Sequence, residues 1–300
     1  MVSQSGILEP VSTIGRYVEF SLIHGVDPKN ALKKLEALNV EDTIVIGLGA
    51  GFIHSLGGQI PNLRAFPSLS GPGCDIPSTQ ADIWCWFRGS TPGSVADLSR
   101  TLIQRLAPEF IQRRLVDGFV YKGGRDLSGY EDGTENPEGD DAVKAAIVQG
   151  MGDGLDGSSF VAVQKWLHDL AHFKSLSQNH QDDVIGRRLK NNDEFDEAPA
   201  SAHVKRTAQE SFDPEAFILR RSMPWSDADG EGLMFVAFGN SFDAFEAQLK
   251  RMTGQEDGIT DGLFEFSRPI TGGYYWCPPV VNDKLNLSVL GAADPNKGCS

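Results

Sequence analysis

The stretch Gly129 to Pro137 reads GYEDGTENP and holds three carboxylates, Glu131, Asp132 and Glu135, of which Asp132 stands just ahead of Gly133 in a run rich in turn-forming residues. Glycine and Asn-Pro chemistry makes this a tight loop, so Asp132 is presented at a fixed place, and a fixed carboxylate can take and return a proton. The same residues also read as an ordinary turn. Six histidines supply metal-ligand chemistry. His168, His172 and His180 fall in sequence that reads as helical, whereas His203 follows a polar loop and precedes Val204, Lys205 and Arg206. On residue type alone His203 is either a ligand or a satisfied structural histidine. Arg220 and Arg221 are adjacent in the strand-like FILRRSM, and neighbours on a strand face opposite ways, so only one of them can face a site.

Other chemistries are excluded by spacing. Cys74, Cys85, Cys277 and Cys299 form no CxxC and no CxxCH, which argues against a zinc knuckle, a thioredoxin-type site and covalent haem attachment and leaves reduced thiols. GLGAGF at Gly47 to Phe52 is Gly-rich and follows a strand-like run, but it is not GxGxxG and no lysine follows as in a P-loop.

The elements that must position these residues are legible in outline. Strand character falls at Arg16 to Ile23, Thr43 to Leu48, Ala81 to Phe87, Phe110 to Tyr121, Ser159 to Trp166, Phe217 to Arg221, Leu233 to Phe238 and Leu263 to Phe266. Helical spacing falls at Pro28 to Leu38 and at Pro92 to Leu106, where Thr91 suits the N-cap and Val95, Leu98, Leu102 and Leu106 share a face. Asn240 or Ser241 is expected to cap a helix whose apolar face is Phe242, Phe245, Leu249 and Met252. Gly57 to Pro77 reads as a long surface loop that could help close a cavity. The order suits an antiparallel sheet with helices on one face in each half, an α+β class, with domains expected at 1–150 and 151–300 and the tail after Pro278 packing on the first half.

Composition narrows the partners. At 300 residues, with 40% hydrophobic and 23% charged residues, the chain suits two modest globular domains. No apolar run approaches the roughly 18 residues a membrane span needs. A net charge of −14 makes nucleic acid and anionic membranes poor partners and favours a neutral or cationic small substrate. The start lacks a basic region followed by an apolar one, so a cytoplasmic location is expected.

Together, GYEDGTENP, FVAVQKW, VIGRR at Val184 to Arg188, AHVKR around His203, ILRRSMP ending at Pro224 and RPITGGYYW near the end resemble the dye-decolourising peroxidases, in the same order over most of Gly129 to Trp276. VIGLGAGF and overall length extend the resemblance more loosely into the first half, and the short loops resemble the compact bacterial class. The resemblance implies two ferredoxin-like domains, related to the dimeric α+β barrels, and a non-covalent haem b held mainly by the second. It also implies peroxide-dependent one-electron oxidation of small organic reductants such as dyes and phenols, and a homo-oligomer. By position His203 matches the iron ligand and Asp261 the acceptor for its other ring nitrogen, although Asp261 also reads as an exposed turn aspartate before Gly262. Asp132 and Arg220 match the pair that works on peroxide. Cleaving an O–O bond needs a base, an acid and a fixed cation, and a carboxylate beside an arginine supplies all three. Ser222 stands where some relatives have Asn. Arg187 is a candidate for a haem propionate and Phe235 for an apolar wall, and both also read as structural.

Two further functions are compatible with these residues: a haem-handling protein without peroxidase turnover, and a non-catalytic ferredoxin-like interaction module, which leaves Asp132, Arg220 and His203 unexplained. Bulky reductants are expected to donate electrons at the surface through Trp166, Trp225, Trp276 or Tyr130. The C-terminal LSVLGAADPNKGCS does not match the targeting peptide of encapsulated relatives.

Overall fold

The computed structural model describes residues 2–291. Cys299 and the end of the C-terminal stretch lie outside the described residues.

Eight strands build the frame: β1 (Ile14–Leu22), β2 (Ile44–Leu48), β3 (Ile83–Gly89), β4 (Phe110–Phe119), β5 (Ser159–His168), β6 (Met223–Asp227), β7 (Gly230–Gly239) and β8 (Gly273–Cys277). All their pairings are antiparallel. The order is β4-β1-β3-β2 in the first half and β8-β5-β7-β6 in the second. The two sets are not separate. Trp276 of β8 pairs with Leu48 of β2, and Gly118 of β4 with Trp225 of β6, so the sheet closes on itself as a barrel. The short strands Leu219–Arg220 and Ser267–Pro269 are attached outside this ring. The fold is α+β with an antiparallel sheet, as expected, but the sheet is one.

Strand alternation then assigns two cores. Inward positions carry Tyr17, Trp84, Trp86, Trp225, Val236, Phe238 and Tyr275, all buried, so the barrel is filled with aromatics and is not a channel. Outward positions meet the helices α1 (Pro28–Glu36), α2 (Pro92–Leu106) and α5 (Asp243–Met252), which cover the outside of the barrel. Thr91 caps α2 by accepting from the Ser94 amide, with Ser94 answering in a capping box and Pro92 in the first turn. In GLGAGF the glycines serve packing. A Cβ on Gly47 would stand 2.7 Å from that of Tyr275, and one on Gly49 would stand 2.3 Å from the Ala81 carbonyl.

Several expectations are corrected. Leu263 to Phe266 is no strand: Gly262–Glu265 is a 3-10 turn, started by Asp261, whose Oδ1 accepts from the Leu263 amide at 2.8 Å. His168 is not helical but ends β5, because the apolar alternation runs two residues beyond Trp166. Only Leu219–Arg220 of Phe217 to Arg221 pairs as a strand, and Phe217 is exposed. Helix α5 begins after Phe242; of the two expected caps, Asn240 donates to the Lys144 carbonyl, whereas the Ser241 hydroxyl accepts from the Asp243 amide at 3.2 Å. The loop Gly57 to Pro77 contains the hairpin Leu69–Gly71 with Cys74–Ile76 and buries Ile60, Phe66 and Ile76. In the described tail, Val280 pairs with Val2, and the Val40 amide donates to the Asp283 carbonyl.

Candidate active site

On the outward face of the second half, β5 and β7 are separated from α5 by a cavity that encloses about 890 Å³ of empty space including its opening. Phe160 and Ala162 of β5 are packed, but the next outward positions, Gln164, Trp166 and His168, line this space. Leu233 and Phe235 of β7 face them across the sheet, and Phe245, Gln248, Leu249 and Met252 of α5 form the opposing wall. The lining is mostly apolar, with a few polar groups where loops enter.

Asp132 enters on the GYEDGTENP loop. Gly129 at φ +100° and Gly133 at φ +77° give the loop turns that L side chains rarely adopt. Arg125 ties it by donating to the Gly129 carbonyl at 2.8 Å and pairing with Glu131 at 2.7 Å. Tyr130 is buried, and its hydroxyl donates to Asp182 at 2.6 Å on α3 (Gln178–Ile185). Burial, then the neighbouring Asp182 carboxylate, holds the Tyr130 hydroxyl well above its usual range. It is a neutral donor.

The loop also sets Arg220. The Asn136 side chain accepts from the Arg220 amide at 2.8 Å and donates to the Arg220 carbonyl at 3.1 Å, a two-point clasp on one peptide segment. The Arg220 guanidinium then stands 3.6 Å from Asp132, and both line the cavity. Arg221 faces away, as alternation requires, and donates to the backbone carbonyls of Ile7 and Leu8. Burial and the like charge of Arg88 push its pKa down to about 10. Asn136 in the sequence looked like turn chemistry alone. Its cross-chain role is visible only when residues 84 positions apart meet.

His203 enters from the opposite side as the first residue of α4 (His203–Arg206). Its Nδ1 is 2.8 Å from Oδ2 of Asp261, which is fully buried, so Nδ1 carries the proton and the Nε2 lone pair is left for a ligand. The helix is fixed by Arg206, which pairs with Asp257 at 2.7 Å and donates to the Arg251 carbonyl. Asp261 is therefore no exposed turn residue. An oriented imidazole, an apolar slot and a carboxylate–arginine pair on one cavity can hold a flat metal cofactor and move protons beside it.

The remaining candidates lie differently. Phe235 lines the cavity and packs on Phe245. Arg187 is on the outer mouth, where it is paired with Glu135 and Glu194 and donates to the Asn192 carbonyl. Ser222 is not among the lining residues, and its hydroxyl accepts from the Val236 amide at 3.3 Å. The Gly57 to Pro77 loop does not line the cavity either. The surface role expected of Trp166, Trp225, Trp276 and Tyr130 is corrected: all four are at most 4% exposed, because their large apolar area is taken into the cores. Trp166 lines the cavity itself. His168 was missed. Its ring, buried in the wall, bridges Asp126 and Ser267, and nothing in the local sequence separated the end of a strand from the start of the helix that follows.

Comparison with known proteins follows the same lines. Residues 123–282 match the family described as Dyp-type peroxidase, C-terminal. The chain is 32% identical over 246 residues to the dye-decolorizing peroxidase of Mycobacterium tuberculosis, covering 79% of this chain and 73% of that protein. Among solved structures it is similar to the dye-decolorizing protein from V. cholerae, with a TM-score of 0.82, 27% identity, and 96% and 98% of the two chains covered. It is also similar to a variant of Rhodococcus jostii RHA1 DypB in complex with heme, with a TM-score of 0.82, 27% identity, and 91% and 95% covered.

Proposed function

The chain belongs to the dye-decolourising peroxidase family, and from that premise we propose that it reduces hydrogen peroxide at a haem b held by His203 and oxidises small organic reductants such as dyes and phenols in one-electron steps. The observation that carries this reading is one cavity bounded on one side by the His203–Asp261 pair and on another by Arg220 and Asp132. The residues present fit the cofactor. The slot is apolar, the Nε2 lone pair is uncommitted, and Gln164 Nε2 is buried in the lining without a hydrogen-bond partner.

Bound haem supplies the redox-active iron that takes two oxidising equivalents from peroxide and passes them on singly. The chain supplies the rest. Asp261 accepts from Nδ1 and raises the donor strength of Nε2. Asp132 takes the first peroxide proton and returns it to the departing oxygen, and Arg220 holds a fixed positive charge where negative charge develops in O–O cleavage. Asn136 keeps that charge in place. Phe235 closes the wall against bulky reductants, and Arg187 offers its guanidinium to a haem carboxylate in competition with Glu135 and Glu194.

At the coarser level, each half reads as a ferredoxin-like domain, 1–150 and 151–300, because each has its own β-α-β pattern with the fourth, first, third and second strands side by side. A homo-oligomer in the cytoplasm completes the proposal; among the described residues no helix is long and apolar enough to cross a membrane. The test is direct. The purified protein should show a Soret band, a rapid shift of that band on mixing with peroxide, and its return on addition of a phenol or dye. A Soret band without the shift would leave a haem-handling protein, and no band would remove haem altogether.

A further inference from the structure

We propose that Ser267, His168 and Asp126 form a second proton path into the cavity, separate from Asp132 and Arg220, that delivers the protons consumed when product water forms. This rests on the peroxidase reading above. Reducing one peroxide to two waters consumes two electrons and two protons. The electrons come from two molecules of a one-electron reductant such as a phenol. When that reductant is too large for the cavity, electrons can cross the protein wall by tunnelling. The protons it releases stay outside, and a hydrogen-bonded chain through the wall can bring them in without using the mouth that admits peroxide.

The wall contains such a chain. His168 Nδ1 is 2.6 Å from the Ser267 hydroxyl, its partner across the sheet, and Nε2 is 3.2 Å from Asp126 Oδ2. Asp126 is fixed through its other oxygen by the Ser128 amide at 2.8 Å. His168 and Ser267 line the cavity and also line a groove on its outer side, and Asp126 lines the cavity. Both His168 and Ser267 are buried, so the path is a polar seam through an otherwise closed wall, flanked by Phe266.

The bonding pattern allows transfer. Against a carboxylate Nε2 is the donor, so in the neutral ring Nδ1 accepts from the Ser267 hydroxyl. A proton arriving at Ser267 passes to Nδ1 as the hydroxyl reverses, and the Nε2 proton leaves toward Asp126 and the cavity. The charged groups around the ring favour protons: Asp126 from the loop, with Asp169, Glu231 and Glu265 lining the groove beside Arg268, Glu265 itself facing His180 at 3.0 Å and His172 at 3.8 Å. Lys165 and Asp227 pair with each other at 3.1 Å on the barrel side of β5.

A merely structural histidine would instead tie the Asp126 loop to the sheet. Haem-loaded His168→Gln, which can keep both hydrogen bonds but cannot relay a proton, separates the two. The expected result is an unchanged rate of the first Soret shift with peroxide, so that KM for peroxide falls in step with kcat while kcat/KM is unchanged. The kcat should fall above pH 7 by about a hundredfold, the scale of a positioned proton-transfer group. In the same variant the pH dependence of the haem reduction potential should flatten. Ser267→Ala should show the same pattern, weaker. Wild-type kcat and wild-type pH dependence in haem-loaded His168→Gln would overturn the proposal, as would equal loss of the first shift and of kcat. If that variant binds no haem, Ser267→Ala decides alone, and wild-type behaviour there overturns the path. Wild-type protein without a Soret band would sink the peroxidase reading and this path with it, whereas peroxidase turnover insensitive to both variants sinks only the path.

Discussion

The two halves of the barrel have the same strand order, yet they treat the space under their helices differently. In the first half, Val18 and Phe20 of β1, Ile46 and Leu48 of β2, and Phe87 of β3 meet Leu32, Leu35, Val95 and Leu102, and the layer is filled with apolar side chains. In the second half, β5 begins in the same way with Phe160 and Ala162 and then changes to Gln164, Trp166 and His168. Its covering elements are held at a distance by polar ties: Tyr130 to Asp182, His203 to Asp261, and Arg206 to Asp257. A cavity survives folding when the walls are braced by hydrogen bonds that do not need the gap to close, whereas an all-apolar layer gains roughly 25 cal/mol for each Å² it removes from water and collapses. One scaffold thus gives a packed half and a hollow half by changing a few side chains on one strand face and the ties of the loops above it.

The contrast is broken most strongly at the hollow half's cofactor ligand. His203→Ala should abolish or greatly weaken haem binding, seen as a lost or shifted Soret band, because His203 is the one proposed iron ligand. Far-UV circular dichroism should be unchanged, since neither sheet depends on the ring. Wild-type haem content in that variant would move the ligand elsewhere.

Next come the two groups opposite. Arg220→Ala should slow the peroxide-driven Soret shift at every pH by about 3 kcal/mol, roughly a hundredfold. Asp132→Ala should slow it by roughly a hundredfold as well, but less so as pH or buffer base rises, because a base in solution replaces the lost proton carrier. Stopped-flow mixing across pH distinguishes the two patterns. Asn136→Ala should cost about 1–3 kcal/mol by leaving the Arg220 amide unpaired, and it should show part of the Arg220→Ala defect. A defect in melting temperature alone would mean that the clasp does not position the guanidinium.

Acid sensitivity should also divide the halves. Burial pushes the Asp126 carboxyl up, but hydrogen bonds from His168 and the Ser128 amide outweigh it, and its pKa lies below the usual value. A carboxyl depressed on folding stabilises the protein above the unfolded-state pKa of about 3.9, and that contribution is lost as pH falls through the folded value. Urea midpoints at pH 5.5 and 3.5 should therefore converge in Asp126→Asn relative to wild type. Equal acid losses in both would remove Asp126 from the account.

The smallest effect belongs to the packed half. Thr91→Ala removes the N-cap of α2 and should lower stability by about 1 kcal/mol. The haem spectrum and the rate with peroxide should stay at wild-type values, because α2 covers the first-half sheet and does not line the cavity.

Legibility followed the range of the interactions. The cap and apolar face of α2, the alternation of β1 and β3, and the opposite facing of Arg220 and Arg221 depend on residues a few positions apart, and all could be read. The end of β5 could not. His168 closes a ten-residue strand through Ser267, 99 positions away. Leu263 and Phe266 misled because a spacing of three serves a tight turn as well as a broken alternation, and Asp261 decided for the turn.

By itself the sequence determined which residues could do chemistry, the α+β class and the family motifs, because loop glycines, strand alternation and helix caps are local physics. Tertiary structure alone decided that the two sheets close into one barrel, through a single register contact at each seam. It also decided that Asn136 grips Arg220, that Ser222 lies off the cavity, and that the tryptophans are buried. Each of these depends on which distant surfaces meet, and side-chain type constrains that only as a sum over the whole core.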